Sequence, residues 1–220
     1  MHKKYLEEIH LIKFIKQEYE ALRSFFADNF KILITLTLST FSLVMQWYRP
    51  IGSDMAISQL IYYLILPVLV ILFIFRDNPL DYGFRLGNYR IWIFYVLFTI
   101  LLSIPVLLIG SRFASVQQYY ERQFNYYEFL RSSVVALLAW EYLLRGFLLF
   151  GLKKRFGELS IIIQMVPFVL LHLGKPEAET LSCIVTGLWF GWIAYRGNSF
   201  WPAFLIHVFI NFSIKYFVNF

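Results

Sequence analysis

The run LLAWEYLLRGFLLF (residues 137–150) places a glutamate and an arginine inside an otherwise apolar stretch. Glu141 lies ten residues after Arg131. That is about 15 Å along a helix and near the middle of a bilayer. A charge at that depth costs about 2.5–3.5 kcal/mol on insertion scales, so it needs a partner or a function. Arg145 follows Glu141 by four residues, and a helix therefore brings both side chains to one face.

The composition of the whole chain indicates an integral membrane protein. Of the 220 residues, 59% are hydrophobic and 15% are charged, whereas a soluble domain is about half apolar and about a quarter charged. The apolar residues form long runs, which excludes a soluble globular domain, a disordered chain and a fibrous repeat. The single cysteine excludes an internal disulfide framework. The net charge of +6 comes from basic residues between the apolar runs. Membrane topology and anionic lipid explain them there, so nucleic acid is not an expected partner.

Seven apolar runs predict membrane helices, and an amphipathic helix precedes them. The runs are residues 31–48, 55–75, 91–110, 132–150, 159–173, 180–195 and 200–218. Each approaches the roughly 20 residues needed to cross the hydrocarbon. The exception is the fifth, which we expect to stop below the surface near Gly174 and Pro176. Residues 1–28 repeat apolar side chains every three or four positions, which predicts a helix in the membrane interface. We therefore expect an all-α polytopic transmembrane helix bundle with an N-terminal amphipathic helix (1–28) and a transmembrane domain (29–220).

The distribution of basic residues favours a cytoplasmic N-terminus. With seven spans, the inside segments carry 13 lysines and arginines and the outside segments carry 6. Cytoplasmic segments are the ones enriched in these residues. This count requires the short fifth segment to cross the membrane fully. We expect a multi-pass protein of the plasma membrane.

Three more polar side chains lie in the apolar runs. His172 and His207 are both inside predicted helices, and Asn211 shares a helix face with His207. Buried polar groups need polar partners, so the sequence predicts that they meet Glu141 and Arg145 in one interior cavity. A carboxylate in such a cavity can take a proton from water, and histidine or asparagine can donate to an oxyanion. These are the parts of a hydrolytic site, although a buried ion pair that only joins helices is the structural alternative.

A metal is the competing use of the same residues. Two histidines and one glutamate form a known catalytic zinc set. No HExxH motif is present, and Glu141 cannot easily be both ligand and base. Glu177 and Glu179 lie close to the presumed cavity mouth and are candidates for a second carboxylate or for a substrate contact. Their alternative interpretation is solvated loop charge.

The chain resembles the CAAX-protease and bacteriocin-processing (CPBP, or Abi) family of intramembrane endopeptidases. That family is marked by three motifs, EExxxR, FxxxH and HxxxN or HxxxD, on separate membrane helices. The matching residues are Glu141 with Arg145, Phe168 with His172, and His207 with Asn211. The resemblance covers roughly residues 130–215, and before them the chain is similar only in being helical and membranous.

The resemblance implies peptide-bond hydrolysis by glutamate-activated water, without a cofactor, with a divalent metal such as zinc as the alternative. The implied substrate is a peptide or protein with a membrane-embedded or membrane-proximal segment. Trp140 stands where the family has its first glutamate, so we expect Glu141 to be the general base. Arg145 would position it, and His172 would orient the water.

In this assignment His207 and Asn211 stabilise the oxyanion. Two other functions stay open. Trp140 favours a non-catalytic protein on the same scaffold, such as an immunity or partner-binding protein. A proton-coupled transporter that uses Glu141 as a relay is disfavoured, because the chain shows no repeated halves.

Overall fold

The computed structural model describes residues 2–121 and 125–220, with side chains from residue 12 onward. These residues form helices and connecting turns, and no strand occurs among them. The helices are α1 (His2–Tyr48), α2 (Met55–Phe75), α3 (Tyr89–Gly110), α4 (Ala114–Tyr120), α5 (Tyr126–Phe156), α6 (Leu159–Leu170), α7 (Glu177–Gly197) and α8 (Trp201–Asn219).

Five of these helices are long and apolar enough to cross a membrane, namely α1, α2, α3, α5 and α8. The predicted all-α transmembrane bundle is confirmed, but the count of seven spanning helices is not. Helix α6 has only 12 residues. Helix α7 has 21 residues, but its two ends carry the charged residues Glu177, Glu179 and Arg196, which make it less apolar than the five.

The N-terminal amphipathic segment and the first predicted span form one continuous helix. Residues 1–49 contain neither glycine nor proline, so nothing in the sequence interrupts α1 where the prediction separates residues 1–28 from the membrane domain. The helix ends at Tyr48, just before Arg49 and Pro50. Side chains from residue 12 to residue 28 are exposed.

The loop between α2 and α3 closes one end of the bundle. The Asn88 backbone N–H donates to the Gly197 carbonyl at 2.7 Å, and the Phe200 N–H donates to the Gly83 carbonyl at 3.0 Å. The end of α7 and the start of α8 therefore lie against this loop. We call this the loop end, and the opposite end, where α3, α6 and α8 finish, the cavity end.

Helix α5 is the central helix of the bundle. In its most apolar window 61% of the residues are buried, against 11% in α3, which faces outward with large apolar side chains. Residues Tyr142–Leu148 wind as wider π-type turns, and every one of them is buried. Such turns are frequent at functional sites, and this one contains Arg145.

Helices α6 and α7 form a close antiparallel pair. A Cβ atom added at Gly191 would collide with Gln164 Nε2, and one at Gly187 would lie 2.9 Å from Phe168. The Gln164 amide N–H donates to the Gly187 carbonyl at 2.8 Å. These two small residues bring α6 near enough to place its C-terminus in the interior.

The short helix α6 ends three residues before the end of the predicted run 159–173. It stops at Leu170, and the following turn contains Gly174 with a φ of +91°, a value that disfavours other residues. The Thr180 hydroxyl donates to the His172 carbonyl at 2.8 Å, which satisfies part of the turn backbone. The turn holds His172 at the inner edge of the cavity end.

Candidate active site

The buried glutamate makes two charge-assisted contacts. Arg145 Nη1 donates to Glu141 Oε1 at 3.0 Å, across one turn of α5. His207 Nδ1, from α8, lies 2.6 Å from the same oxygen. Glu141 and Arg145 are fully buried, and His207 is 7% exposed. A carboxylate accepts hydrogen bonds, so His207 donates its Nδ1 proton and keeps Nε2 as the second ring nitrogen.

The rest of the Arg145 side chain lies between aromatic rings. Its guanidinium carbon lies 4.0 Å from the centre of the Phe168 ring and 5.4 Å from that of Phe190. Its Nε and Nη2 have no hydrogen-bond partner among the described residues. The arginine is therefore held by one carboxylate and by cation–π contacts, which strengthen when water is excluded.

The second histidine, His172, lies with its ring face toward that of His207. His172 Nδ1 lies 2.7 Å from the Phe168 carbonyl, so this nitrogen donates its proton and Nε2 keeps a lone pair. The His172 and His207 rings stack with centroids 6.2 Å apart at an angle of 27°. Both imidazoles therefore have Nδ1 engaged and Nε2 available.

A cavity of about 370 Å³ at the cavity end is lined by His172, His207 and Asn211. Most of its wall is apolar and comes from α3, α4, α7 and α8. Asn211 Oδ1 is buried without a partner among the described residues. Glu141 does not line this cavity, and His207 stands between its carboxylate and the space.

A second cavity, of about 530 Å³, adjoins the first, and most of the residues that line it have polar side chains. The two share Tyr120, Lys175 and Asn211 in their walls. The second is further lined by Glu128 and Lys215, among other polar residues. An apolar space and a polar space thus meet at the predicted site.

The two loop glutamates lie in different environments. Glu179 lines the smaller cavity and accepts bonds from the Tyr120 hydroxyl at 2.8 Å and from Lys175 Nζ at 2.8 Å. Burial, together with the charge of Glu179, raises the pKa of Tyr120 above its usual range. Glu177 is exposed at the start of α7 and lines none of the cavities described here. The structure therefore brings Glu179 to the site and leaves Glu177 apart.

Trp140 occupies the space beside His172. Its ring is perpendicular to the imidazole, with centroids 6.0 Å apart. Glu141, the next residue on α5, points instead toward His207. Trp140, at the position of the first glutamate in the CPBP motif, thus faces His172. Glu141, at the position of the second glutamate, faces His207.

The residues present do not form the three-ligand set that a zinc site requires. No group of three or more histidine, cysteine, aspartate or glutamate side chains is placed to hold a metal ion within the described residues. Arg145 and His207 both bind Oε1 of the Glu141 carboxylate, and Oε2 is buried without a partner among the described residues.

Sequence reasoning missed two residues of the site and the role of a third. Tyr120 and Lys175 reach the cavity by long-range packing, and Tyr120 is 59 residues from its partner Glu179. No spacing pattern signals such a contact. Trp140 is visible as a departure from the motif, but its contact with His172 is visible only in the structure.

Comparison with known families gives a match to part of the chain. Residues 122–213 match the Rce1-like family model, described as type II CAAX prenyl endopeptidase Rce1-like. This segment contains all three motifs, and the match confirms the resemblance to the CPBP family. It points to an intramembrane peptidase. No curated protein and no solved structure matches the chain.

Proposed function

We propose that this integral membrane protein is an endopeptidase that uses the Glu141–His207 pair to activate water, and the match of residues 122–213 to the Rce1-like family model supports the proposal. The observation that carries the proposal is the 2.6 Å contact between His207 Nδ1 and Glu141 Oε1, beside the cavity that His172 and Asn211 also line. Two helices, α5 and α8, and the turn after α6 supply these groups. Placing so many polar groups at membrane depth is costly, which supports a function for them.

The base in this proposal is the pair rather than the carboxylate alone. Because His207 separates Glu141 from the cavity, a proton leaving water reaches His207 Nε2 first. The imidazolium that forms is stabilised by the Glu141 carboxylate at its Nδ1, as in other carboxylate–histidine pairs. Arg145 keeps the carboxylate ionised and oriented.

Peptide hydrolysis also requires that the attacking water is oriented and that the oxyanion is stabilised, and we assign these two roles to His172 and Asn211. The Nε2 lone pair of His172 accepts a hydrogen bond from the attacking water and so orients it. The Asn211 amide, one helical turn after His207, donates to the oxyanion of the tetrahedral intermediate. His207 then returns its proton to the leaving amine, which completes the hydrolysis without a metal or cofactor.

The walls of the cavity favour an apolar segment as substrate. Val106, Leu107, Val116, Ile210 and Ile214 face the space next to the histidines. A peptide or protein with a membrane-embedded or membrane-proximal segment supplies such a surface. We place the loop end in the cytoplasm because it holds most of the basic residues of the bundle. The cavity end then faces the opposite side.

The test is cleavage by the purified full-length protein reconstituted in liposomes. Internally quenched peptides that carry apolar segments report cleavage by fluorescence. Glu141→Gln should lower the rate by at least about 100-fold, the usual contribution of acid–base catalysis. The control Glu158→Gln removes an exposed carboxylate at the loop end and should keep the wild-type rate. A folded Glu141→Gln protein with wild-type activity would refute the assignment.

A second candidate function is a non-catalytic membrane protein on the same scaffold. The specific observation that favours it is Trp140, which fills the space facing His172 where a carboxylate would otherwise stand. In that case the wild type cleaves no peptide of the set, and Glu141→Gln and His207→Ala mainly lower thermal stability. Trp140→Glu then places a carboxylate beside His172, and a gain of cleavage would identify the tryptophan as the cause.

A further inference from the structure

The loop end carries a strong excess of positive charge. Among the described residues from Lys31 onward its eight basic side chains are Lys31, Arg76, Arg85, Arg90, Lys153, Lys154, Arg155 and Arg196, and its three acidic ones are Asp77, Asp81 and Glu158. The cavity end is balanced within the described part of the chain, with five basic residues, Arg49, Arg112, Arg131, Lys175 and Lys215, and five acidic residues, Asp54, Glu121, Glu128, Glu177 and Glu179. The excess at the loop end attracts anions.

Part of this charge surrounds a cavity of about 340 Å³. Arg85, Lys153 and Lys154 line it, and Asp81 is the one acidic residue in its wall. Asp81 is already paired, because Arg85 donates to its Oδ1 from Nε at 2.9 Å and from Nη2 at 2.8 Å. The two lysines are therefore the uncompensated charges of this cavity.

Lys153 is held in place by the C-terminal turn of α7. Its ammonium donates to the Tyr195 carbonyl at 3.0 Å and to Asn198 Oδ1 at 2.6 Å, and it lies 4.0 Å from the centre of the Tyr195 ring. Asn198 adopts a left-handed conformation with a φ of 50°. An ammonium has three donors, and the two hydrogen bonds fix the group while leaving one N–H without a hydrogen-bond acceptor among the described residues.

We propose that this cavity binds the phosphate of an anionic phospholipid. The cations lie where α5 and α7 end, at the level where lipid headgroups meet a spanning protein. Leu80 and Phe150 form the apolar part of the wall, and the nearby Leu86 is 61% exposed. A lipid fits this combination, because its phosphate meets the lysines while its glycerol and first acyl carbons meet apolar surface.

The experiment measures lipid binding by native mass spectrometry of the full-length protein in detergent. The probes are dioctanoyl phosphatidylglycerol, dioctanoyl phosphatidylcholine and inorganic phosphate. Lys153→Gln combined with Lys154→Gln removes the two uncompensated cations from the cavity. Each basic residue near a headgroup contributes about fivefold in affinity, so the double variant should bind phosphatidylglycerol about 30-fold more weakly.

The matched control is Arg90→Gln combined with Arg155→Gln. Both side chains are exposed at the same end and line none of the cavities described here, so the change in net charge is equal. The control should keep binding within about threefold, since only the distant field changes. An equal loss in the control would show a diffuse attraction and overturn the site. Equal binding of phosphatidylcholine, or of inorganic phosphate at the same concentration, would overturn the lipid as ligand.

Discussion

Replacement of Arg145 by methionine tests how the buried charges are held. The guanidinium is fully buried, and its single hydrogen bond goes to Glu141 Oε1. Methionine keeps an apolar chain against Phe168 and Phe190 but removes the positive charge. Arg145→Met therefore leaves the Glu141 carboxylate buried with His207 as its one remaining partner among the described residues.

The expected loss of stability is large because no solvent reaches the buried Glu141 carboxylate to replace its lost ion pair. Removing one member of a buried ion pair costs about 3–5 kcal/mol in the free energy of unfolding, whereas replacing both members is close to neutral. The lost cation–π contact with Phe168, at 4.0 Å, places the cost toward the upper part of that range. For a chain of this size the apparent melting temperature should fall by about 10 °C.

The double variant Glu141→Gln/Arg145→Met separates a charge effect from a packing effect. With both charges removed, the His207 N–H can still donate to the glutamine oxygen, so most of the stability should return. Thermal unfolding in one detergent, followed by tryptophan fluorescence, gives all three values. A double variant as unstable as Arg145→Met would show that the arginine acts through packing, and the electrostatic reasoning would be wrong.

Three further predictions concern the metal, the helix packing and the cavity mouth. Chelation by EDTA should leave peptide cleavage unchanged, and a loss restored by zinc would contradict the proposed mechanism. Gly191→Ala should lower the free energy of unfolding by about 1–3 kcal/mol through its collision with Gln164. In contrast, Gly110→Ala, with open space around it, should be neutral in the same melting assay. Burial and Glu179 raise the pKa of Tyr120 above 10.0, so the unfolded chain loses this proton first and stability falls above about pH 10. Tyr120→Phe should weaken that fall in melting curves from about pH 9 to 11, and an unchanged fall would count against the raised pKa.

Local signals predicted the elements of the fold well where chain breakers are present. Gly174 marks the turn after the short helix α6, and Pro176 stands directly before α7. Where no breaker exists, no helix end could be predicted: α1 runs through residues 28–31, because charged residues alone do not end a helix. The number of spanning helices was less predictable, since α7 is long enough to cross but polar at both ends.

The sequence predicted that the polar residues of the site lie close together, because an isolated polar group in the membrane is energetically costly. It did not predict which of these residues contact each other. Polar groups at membrane depth must find one another, so Glu141, His172 and His207 were expected to meet. Sequence spacing does not say which histidine binds the carboxylate, because that depends on how α8 rotates against α5. It also gives no sign of Tyr120, which arrives from α4.

The early end of α6 affects how water, a reactant in hydrolysis, reaches the site. Twelve residues extend about 18 Å, so this helix finishes well inside a layer about 30 Å thick. A turn and two adjoining cavities lie beyond its last residue. One of these cavities is lined by amides, hydroxyls and lysines. Each bond that a hydrolase cuts consumes one water molecule, and hydrocarbon delivers almost none. A helix of about three fifths of the full length leaves room for the cavity with polar lining, which adjoins the histidine cavity and from which water can be supplied.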